Sequence, residues 1–257
     1  MGIPDKIQLG TFDRVSNSSQ KIFTYKDDFT IKEQLYFRVK IFGLLNNKKD
    51  WLSSKVNNFN NEYKNTFIPF GEKEKKYKGI LILEPNNKKW IPSLKNTRVL
   101  DNITNFDGLN LVFKSNSKII NKEVYTSTYF PSKMNLSKNL QEYYTSLPNT
   151  INSELINWAI TTYANSIDNK DYINKVLAEF SGGEFYYSLK PANFGNNYSK
   201  FFLKTKEGYC EYYAGTLAIL TRLVGIPTRI VTGFYAGEYN DYGKFFNFNQ
   251  SDAHAWV

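Results

Sequence analysis

The sequence has very few of the residues that carry metal and redox chemistry. Its 257 residues include one cysteine, Cys210, and one histidine, His254. An internal disulfide needs two cysteines, and a Cys/His zinc site needs about four ligands, so both are excluded. Catalysis that pairs a nucleophile with an imidazole can use only His254 as its base. No metal ion or organic cofactor is expected.

Long apolar runs are also missing. No stretch reaches the ~18 to 20 consecutive apolar residues that a membrane-spanning helix requires, and residues 1–14 lack the apolar segment of a signal peptide. The chain as given is therefore expected to be soluble. This leaves open whether a longer parent protein has membrane segments outside it.

The charge balance is basic but not concentrated. There are 33 Lys and Arg residues against 24 Asp and Glu residues, which gives a net charge of +9. The lysines are scattered in pairs instead of forming one stripe, and no nucleic-acid-binding motif accompanies them. We therefore expect no nucleic-acid partner. The composition, with 41% hydrophobic and 17% aromatic residues, is typical of a globular protein.

The first part of the chain has the patterns of strands. Residues 34–42 alternate apolar and polar side chains, which indicates a half-buried strand. Shorter candidates lie at 79–83, 109–114 and 123–130, and residues 56–65 are expected to form a long surface loop. Residues 1–140 are therefore predicted to be a β-rich domain.

Helical patterns replace the strands after about residue 140. One helix is predicted from Asn152 or Ser153 as N-cap, and a second one runs from about Asp168 to the Ser181-Gly182 stop. Residues 141–257 are accordingly predicted to be a second domain, and the fold class is α+β.

A third helix is predicted to begin at Cys210 and to end at Gly225, with Pro227 preventing its continuation. The β-branched run at 228–234 follows as a strand. A turn-rich connection at 237–243 leads to strands at 245–249 and 252–257, and the last of these carries His254.

A cysteine in the first turn of a helix is suited to nucleophilic chemistry. The unpaired N–H groups there are expected to lower the pKa of the Cys210 thiol and to stabilise an oxyanion. An imidazole such as that of His254 can accept the thiol proton. Spacing alone does not show that the two residues meet, and a lone cysteine is often a buried small hydrophobe.

Two segments of the sequence resemble a known family. The run GYCEYYAGTLAILTRLVGIPTRIVTG at 208–233 and the run QSDAHAWV at 250–257 resemble the bacterial transglutaminase-like superfamily, in particular its TgpA type. Weaker similarities to the same family lie at 82–90, 140–148 and 185–189. The resemblance implies a papain-like core of helices on an antiparallel sheet, preceded by a β-rich domain. It also implies a location outside the cytoplasmic membrane, between transmembrane segments.

The resemblance assigns roles to the two candidate residues. Cys210 would be the nucleophile and His254 the base that activates it. The third catalytic residue of the family is an Asp that orients the imidazole. It follows on the next strand, whereas this chain ends at Val257. We therefore expect an incomplete domain. Loss of the orienting acid alone lowers a triad enzyme's rate by about 10⁴-fold, so activity is expected of the full-length parent. Asp252 is not expected to replace that acid, because it points the same way as His254 along one strand.

Five neighbouring residues have smaller expected roles. Glu211 matches the family pattern and is expected to face away from the thiol as a helix-dipole residue. Trp256 is expected to pack instead of donating its indole N–H, and Arg229 to form a structural ion pair. Tyr187 and Tyr209 either line the acyl site or are ordinary core aromatics, and the core role is favoured.

The expected function is acyl transfer from a carboxamide or peptide bond of a protein or peptide substrate, through a Cys210 thioester. The acceptor is an amine or water, and the residues do not decide which. One alternative is a non-catalytic transglutaminase-like scaffold that binds peptides or cell-wall components. Another is an interaction module that works through its β-rich part. Membrane association would come from segments outside this chain.

Overall fold

The structure is a computed structural model that describes residues 3, 6–9, 18–27, 35–53, 67–69, 77–95, 97–101, 106–107, 112–129, 132–134, 136–191, 195 and 197–257. These residues combine helices with antiparallel sheets, so the predicted α+β class is confirmed. The loop predicted at 56–65 lies outside the described residues. None of the described helices is long and apolar enough to cross a lipid bilayer.

Strands precede and follow a block of helices. The helices are α1 (Lys138–Thr145), α2 (Ser153–Ala164), α3 (Asn169–Ser181), α4 (Tyr198–Lys200), which continues into a π-helical turn at Phe201–Thr205, and α5 (Cys210–Leu223). The strands are β1 (Lys6–Ile7), β2 (Lys21–Asp27), β3 (Tyr36–Leu45), β4 (Trp51–Ser53), β5 (Phe67–Pro69), β6 (Tyr77–Leu83), β7 (Trp90–Ile91), β8 (Ser93–Leu94), β9 (Thr97–Leu100), β10 (Phe106–Asp107), β11 (Val112–Lys114), β12 (Glu123–Tyr129), β13 (Ser132–Met134), β14 (Tyr186–Tyr187), β15 (Glu207–Gly208), β16 (Ile230–Tyr235), β17 (Glu238–Asn240), β18 (Phe245–Asn249) and β19 (Ala253–Trp256).

Local sequence signals set the helix ends. The side chain of Asn152 accepts hydrogen bonds from the first turn of α2, and that of Asp168 does the same for α3, as N-caps do. Gly182 caps the end of α3. After α5, Gly225 has a φ of +80°, a conformation that glycine adopts without cost. These predicted boundaries are confirmed, whereas α1 was not predicted.

Two large sheets organise the molecule. The central sheet has the order β1-β4-β3-β16-β19, with β8 also paired to β3, and the outer sheet has the order β17-β18-β2-β6-β12-β9. Smaller pairings are β10-β11-β7, β13-β5 and the parallel pair β14-β15. The predicted strands at 34–42, 79–83, 123–130 and 245–249 are therefore present. The connection predicted at 237–243 contains the short strand β17.

Strands from both halves of the chain share these sheets. In the central sheet β3 pairs with β16, and in the outer sheet β2 pairs with β18. Each pairing joins residues that lie on opposite sides of the expected boundary near residue 140. The division of the chain into domains 1–140 and 141–257 stays a prediction. The pairing shows that backbone hydrogen bonds join these two parts of the chain in both large sheets.

The central sheet is covered on both faces. Helices α2, α3 and α5 bury Leu155, Val176 and Ile219 in one cluster with residues of the sheet such as Ile230. On the other face, aromatic rings fill the space toward the outer sheet: the rings of Phe23 and Phe248 stack at 4.4 Å, and the Phe37 and Phe234 rings meet Phe23 edge-on. The fold is therefore a layer of helices, a central sheet and an outer sheet.

A buried arginine fastens α5 to its surroundings. The guanidinium of Arg222, 3% exposed, donates to the carbonyl oxygens of Thr228 (3.0 Å), Ser146 (3.0 Å) and Gly43 (2.8 Å). It also lies 4.8 Å from the ring of Trp51. Burial lowers the pKa of Arg222 to about 10, so the side chain stays charged at neutral pH. Sequence analysis did not identify this residue.

The tightest backbone approach in the central sheet is at Gly233. This residue pairs with Arg38 of β3 on one side and with His254 of β19 on the other. A Cβ atom added to Gly233 would lie 1.8 Å from the carbonyl oxygen of Phe37, so the strands must separate to accept any side chain. Gly233 therefore sets how closely β3 and the strand pair β16-β19 approach.

We expect Gly233→Ala to lower the free energy of unfolding by about 1–3 kcal/mol or more, because overpacking forces the backbone to shift. Urea unfolding followed by circular dichroism measures this change. Gly182→Ala is the matched control, since its φ of −71° suits alanine and its nearest neighbouring atom is 3.3 Å away. Its effect should stay below about 1 kcal/mol. Equal effects of the two substitutions would contradict the close strand approach at Gly233.

Candidate active site

Cys210 is the first residue of α5 and is almost fully buried, with 6% of its surface exposed. Tyr209 precedes it in an extended conformation and makes no side-chain cap. Gly208 is required for this entry, because a Cβ atom there would lie 2.5 Å from Cγ of Tyr212. The predicted position of Cys210 at the helix N-terminus is confirmed.

His254 lies on β19, 44 positions later in the sequence. The strand is held against β16 by the pairing of His254 with Gly233, and α5 packs against β19. The backbone of Ala255, the next residue, interacts with the Cys210 thiol. The fold thus brings the two candidate residues to one place.

Two clefts meet at this pair. The larger one, of about 830 Å³, has an apolar wall that includes Leu177 and Leu217. The smaller one, of about 320 Å³, is more polar and includes Asp252. Cys210 and His254 line both clefts, as does Tyr187. A molecule in either cleft can therefore reach the thiol.

Burial controls the protonation of the two residues. Desolvation raises the pKa of the Cys210 thiol to about 12, and the charge of Glu211 adds to this effect. Hydrogen bonds from the N–H groups of Ala255 and Glu211 and from Tyr187 lower the pKa of Cys210 by less than burial raises it. Desolvation also lowers the pKa of His254. The N–H of Glu211 in the first helical turn lowers the thiol pKa, as expected, but burial outweighs this effect and the net shift of the pKa is upward.

Glu211 is completely buried. As expected, it is not among the described residues that line either cleft. It is not a solvated helix-dipole residue, however, because its charge acts inside the core and raises the pKa values of Cys210 and Tyr198. The sequence pattern does not reveal this burial, since a glutamate in a first helical turn is usually exposed.

Two aromatic rings lie next to the imidazole. The ring of Tyr235 is 5.3 Å from that of His254, and the ring of Trp256 is 6.5 Å away and nearly parallel to it. Trp256 also packs against Ile41 and Val231, which agrees with the expected packing role. These neighbours restrict rotation of the His254 ring.

Asp252 lies in a 3₁₀ turn before β19, not on the strand. Its carboxylate accepts a hydrogen bond of 2.7 Å from the Asn249 N–H and caps that turn. This engagement agrees with the expectation that Asp252 does not orient His254, although the reason is the turn and not the strand geometry. Arg229 contacts Tyr144, whose ring lies 5.6 Å from its guanidinium and whose hydroxyl lies 3.4 Å away.

The two tyrosines differ from each other. Tyr209 is 2% exposed and belongs to the main core, although it also borders the smaller cleft. Tyr187 is 61% exposed and lies at the mouth of both clefts. The core role favoured for Tyr187 from the sequence is therefore wrong.

A buried cysteine and a histidine beside two clefts define a site suited to cysteine-based acyl transfer. Residues 159–257 match the family model of the Transglutaminase-like superfamily, the family that the sequence resembles.

Curated relatives and solved structures agree with this assignment. The chain is 41% identical over 83 residues to a protein-glutamine gamma-glutamyltransferase of Pseudomonas aeruginosa (strain PAO1), which covers 32% of this chain and 12% of that protein. It is 28% identical over 138 residues to the uncharacterized protein YebA of Bacillus subtilis (strain 168), which covers 49% of this chain and 19% of YebA. The chain thus spans less than a fifth of either relative.

The crystal structure of the periplasmic domain of TgpA from Pseudomonas aeruginosa superimposes with a TM-score of 0.87 at 21% identity, over 100% of this chain and 88% of that one. The structure of the same domain bound to ethylmercury superimposes with a TM-score of 0.85 at 21% identity, over 100% of this chain and 91% of that one. The fold of the whole chain is therefore similar to that of the TgpA periplasmic domain.

We expect alkylation of Cys210 by iodoacetamide to accelerate about tenfold per pH unit between pH ~7 and ~10, because the raised thiol pKa keeps the thiolate fraction small over this range. The rate is measured by intact mass spectrometry. A short unstructured peptide with one cysteine is the reference, and its rate should level off above its pKa of about 8.5. The Cys210→Ser variant gives the background.

His254→Ala is the informative second variant. In the wild type the thiol and the imidazole are both uncharged, so no imidazolium is present to stabilise the thiolate. The alkylation rate of His254→Ala should therefore stay within about threefold of the wild-type rate at each pH. A wild-type alkylation rate that does not change between pH ~5 and ~8, together with a His254→Ala rate that rises steeply over this range, would contradict the neutral pair.

Proposed function

We propose that this chain is an extracytoplasmic part of a bacterial membrane protein and that it catalyses cysteine-dependent acyl transfer on protein or peptide substrates. The observation that carries the proposal is the meeting of Cys210 and His254, which both line the two clefts. The names of the relatives, a gamma-glutamyltransferase and a periplasmic domain, support the reaction class and the location.

In the first step, the Cys210 sulfur forms a bond to the carbonyl carbon of a carboxamide or peptide bond. Because the thiol is protonated in the free protein, its proton passes to the neutral imidazole of His254 as the sulfur attacks. The low pKa of a buried imidazole suits this role, since it keeps His254 unprotonated and able to accept. The carbonyl electrons move onto oxygen and form a tetrahedral intermediate.

In the second step, the intermediate collapses to a thioester. The bond to nitrogen breaks, and His254 returns its proton to the leaving ammonia or amine. An amine acceptor then attacks the thioester and releases a new amide with the free thiol, or water attacks and releases the acid. The larger cleft has an apolar wall and is wide enough to admit either acceptor.

We expect single-turnover incubation with a glutamine-containing peptide to add the acyl mass to Cys210, and a primary amine to remove it as an amide. Cys210→Ala should abolish both steps. His254→Ala should slow acylation by about 10²–10⁴-fold, the usual contribution of a general base. Intact mass spectrometry of quenched samples measures the adduct.

Tyr242→Ala is the control. Tyr242 is fully exposed, so this substitution should leave acylation unchanged. Acylation that persists in Cys210→Ala would refute the cysteine mechanism. Binding of the peptide without any adduct in the wild type would favour the scaffold alternative over the enzyme.

A further inference from the structure

Tyr187 is placed at the nucleophile by main-chain hydrogen bonds. It belongs to β14, which pairs in parallel with β15 so that Tyr187 lies opposite Gly208. The N–H of Tyr186 donates to the carbonyl of Lys206 (2.8 Å), and the N–H of Ser188 donates to that of Gly208 (2.9 Å). Gly208 is only two positions before Cys210. The backbone of Tyr187 is therefore fixed relative to the thiol.

The side chain of Tyr187 reaches Cys210 at two points. Its hydroxyl interacts with both the thiol and the backbone N–H of Cys210. The ring stacks on Tyr213 of α5, with centroids 6.2 Å apart and an angle of 21° between the planes, and it borders both clefts. Since Tyr187 is 61% exposed, its side chain lies outside the core.

We propose that Tyr187 is a catalytic residue whose hydroxyl, together with the Cys210 N–H, donates a hydrogen bond to the oxyanion formed when the Cys210 sulfur attacks a carbonyl carbon. This inference rests on the proposed acyl transfer. During attack the C–S bond forms, the carbonyl π electrons move to oxygen, and the thiol proton passes to His254. The oxyanion develops beside the Cys210 N–H, where the Tyr187 hydroxyl already lies.

The phenol is suited to donate and not to ionise. Partial burial of the hydroxyl, followed by the charge that Cys210 acquires at high pH, raises the pKa of Tyr187 to about 12. The O–H bond is therefore intact at neutral pH, and the oxyanion receives a hydrogen bond without removing the proton. A donor already in place when charge develops is the arrangement that stabilises such transition states most.

The test compares two reactions of the same sulfur. Acylation by a glutamine-containing peptide passes through an oxyanion, whereas alkylation by iodoacetamide displaces iodide and forms none at the reacting carbon. The ratio of the two second-order rate constants is taken at one pH, and the pH profile of alkylation measures any effect of Tyr187 on thiol ionisation separately. We expect Tyr187→Phe to lower this ratio by about 10²-fold, the usual loss for one oxyanion donor.

Tyr186→Phe is the matched control, because Tyr186 lies on the same short strand and is exposed, and it should leave the ratio unchanged. If Tyr187→Phe slows both reactions equally, the hydroxyl serves only the thiolate and the inference is overturned. Faster acylation in Tyr187→Phe would show that the Tyr187 hydroxyl hinders the reaction, and this result would also overturn the inference. A wild type that is alkylated but never acylated contradicts the proposed function itself, whereas an unchanged ratio in an active enzyme contradicts only the role of Tyr187.

Discussion

Strand β16 is hydrogen bonded to β3 along one edge and to β19 along the other, and the site depends on this double pairing. The chain enters β16 directly from α5, which begins with Cys210, and returns through β18 to β19, which carries His254. A register slip of one residue in β19 would turn His254 to the opposite face of the sheet. Backbone pairing thus sets the relative position of the two side chains.

The packing that positions the pair also determines its electrostatics. Burial raises the thiol pKa and lowers the imidazole pKa, so both residues are neutral in the free protein. An ion pair formed in advance would have to be kept in a poorly hydrated place, at considerable cost. In a neutral pair, charge separates only when a carbonyl group is present to receive the sulfur. Reactivity toward small electrophiles and reactivity toward acyl donors are therefore separate properties of this site.

Features set by nearby residues could be predicted from the sequence, whereas features set by distant residues could not. The N-caps Asn152 and Asp168 and the start of α5 at Cys210 follow from local signals. The meeting of Cys210 with His254 came from the family resemblance and not from spacing. The bonds from Arg222 to Gly43, 179 positions away, and the raised thiol pKa escaped prediction because both depend on tertiary burial.

Two side chains next to the thiol have opposite effects on it. Glu211 is adjacent in sequence, and its buried charge raises the pKa of Cys210; Tyr187 is distant in sequence, and its hydroxyl lowers that pKa. A carboxylate favours the neutral thiol of the free protein, and a phenol donates to negative charge wherever it forms, on sulfur or on oxygen. Because the phenol stays protonated and lies at the Cys210 N–H, it can follow the charge from the sulfur to the carbonyl oxygen. In this site the fold therefore adds side chains from other elements to the N–H groups of the first helical turn, and both respond to developing charge.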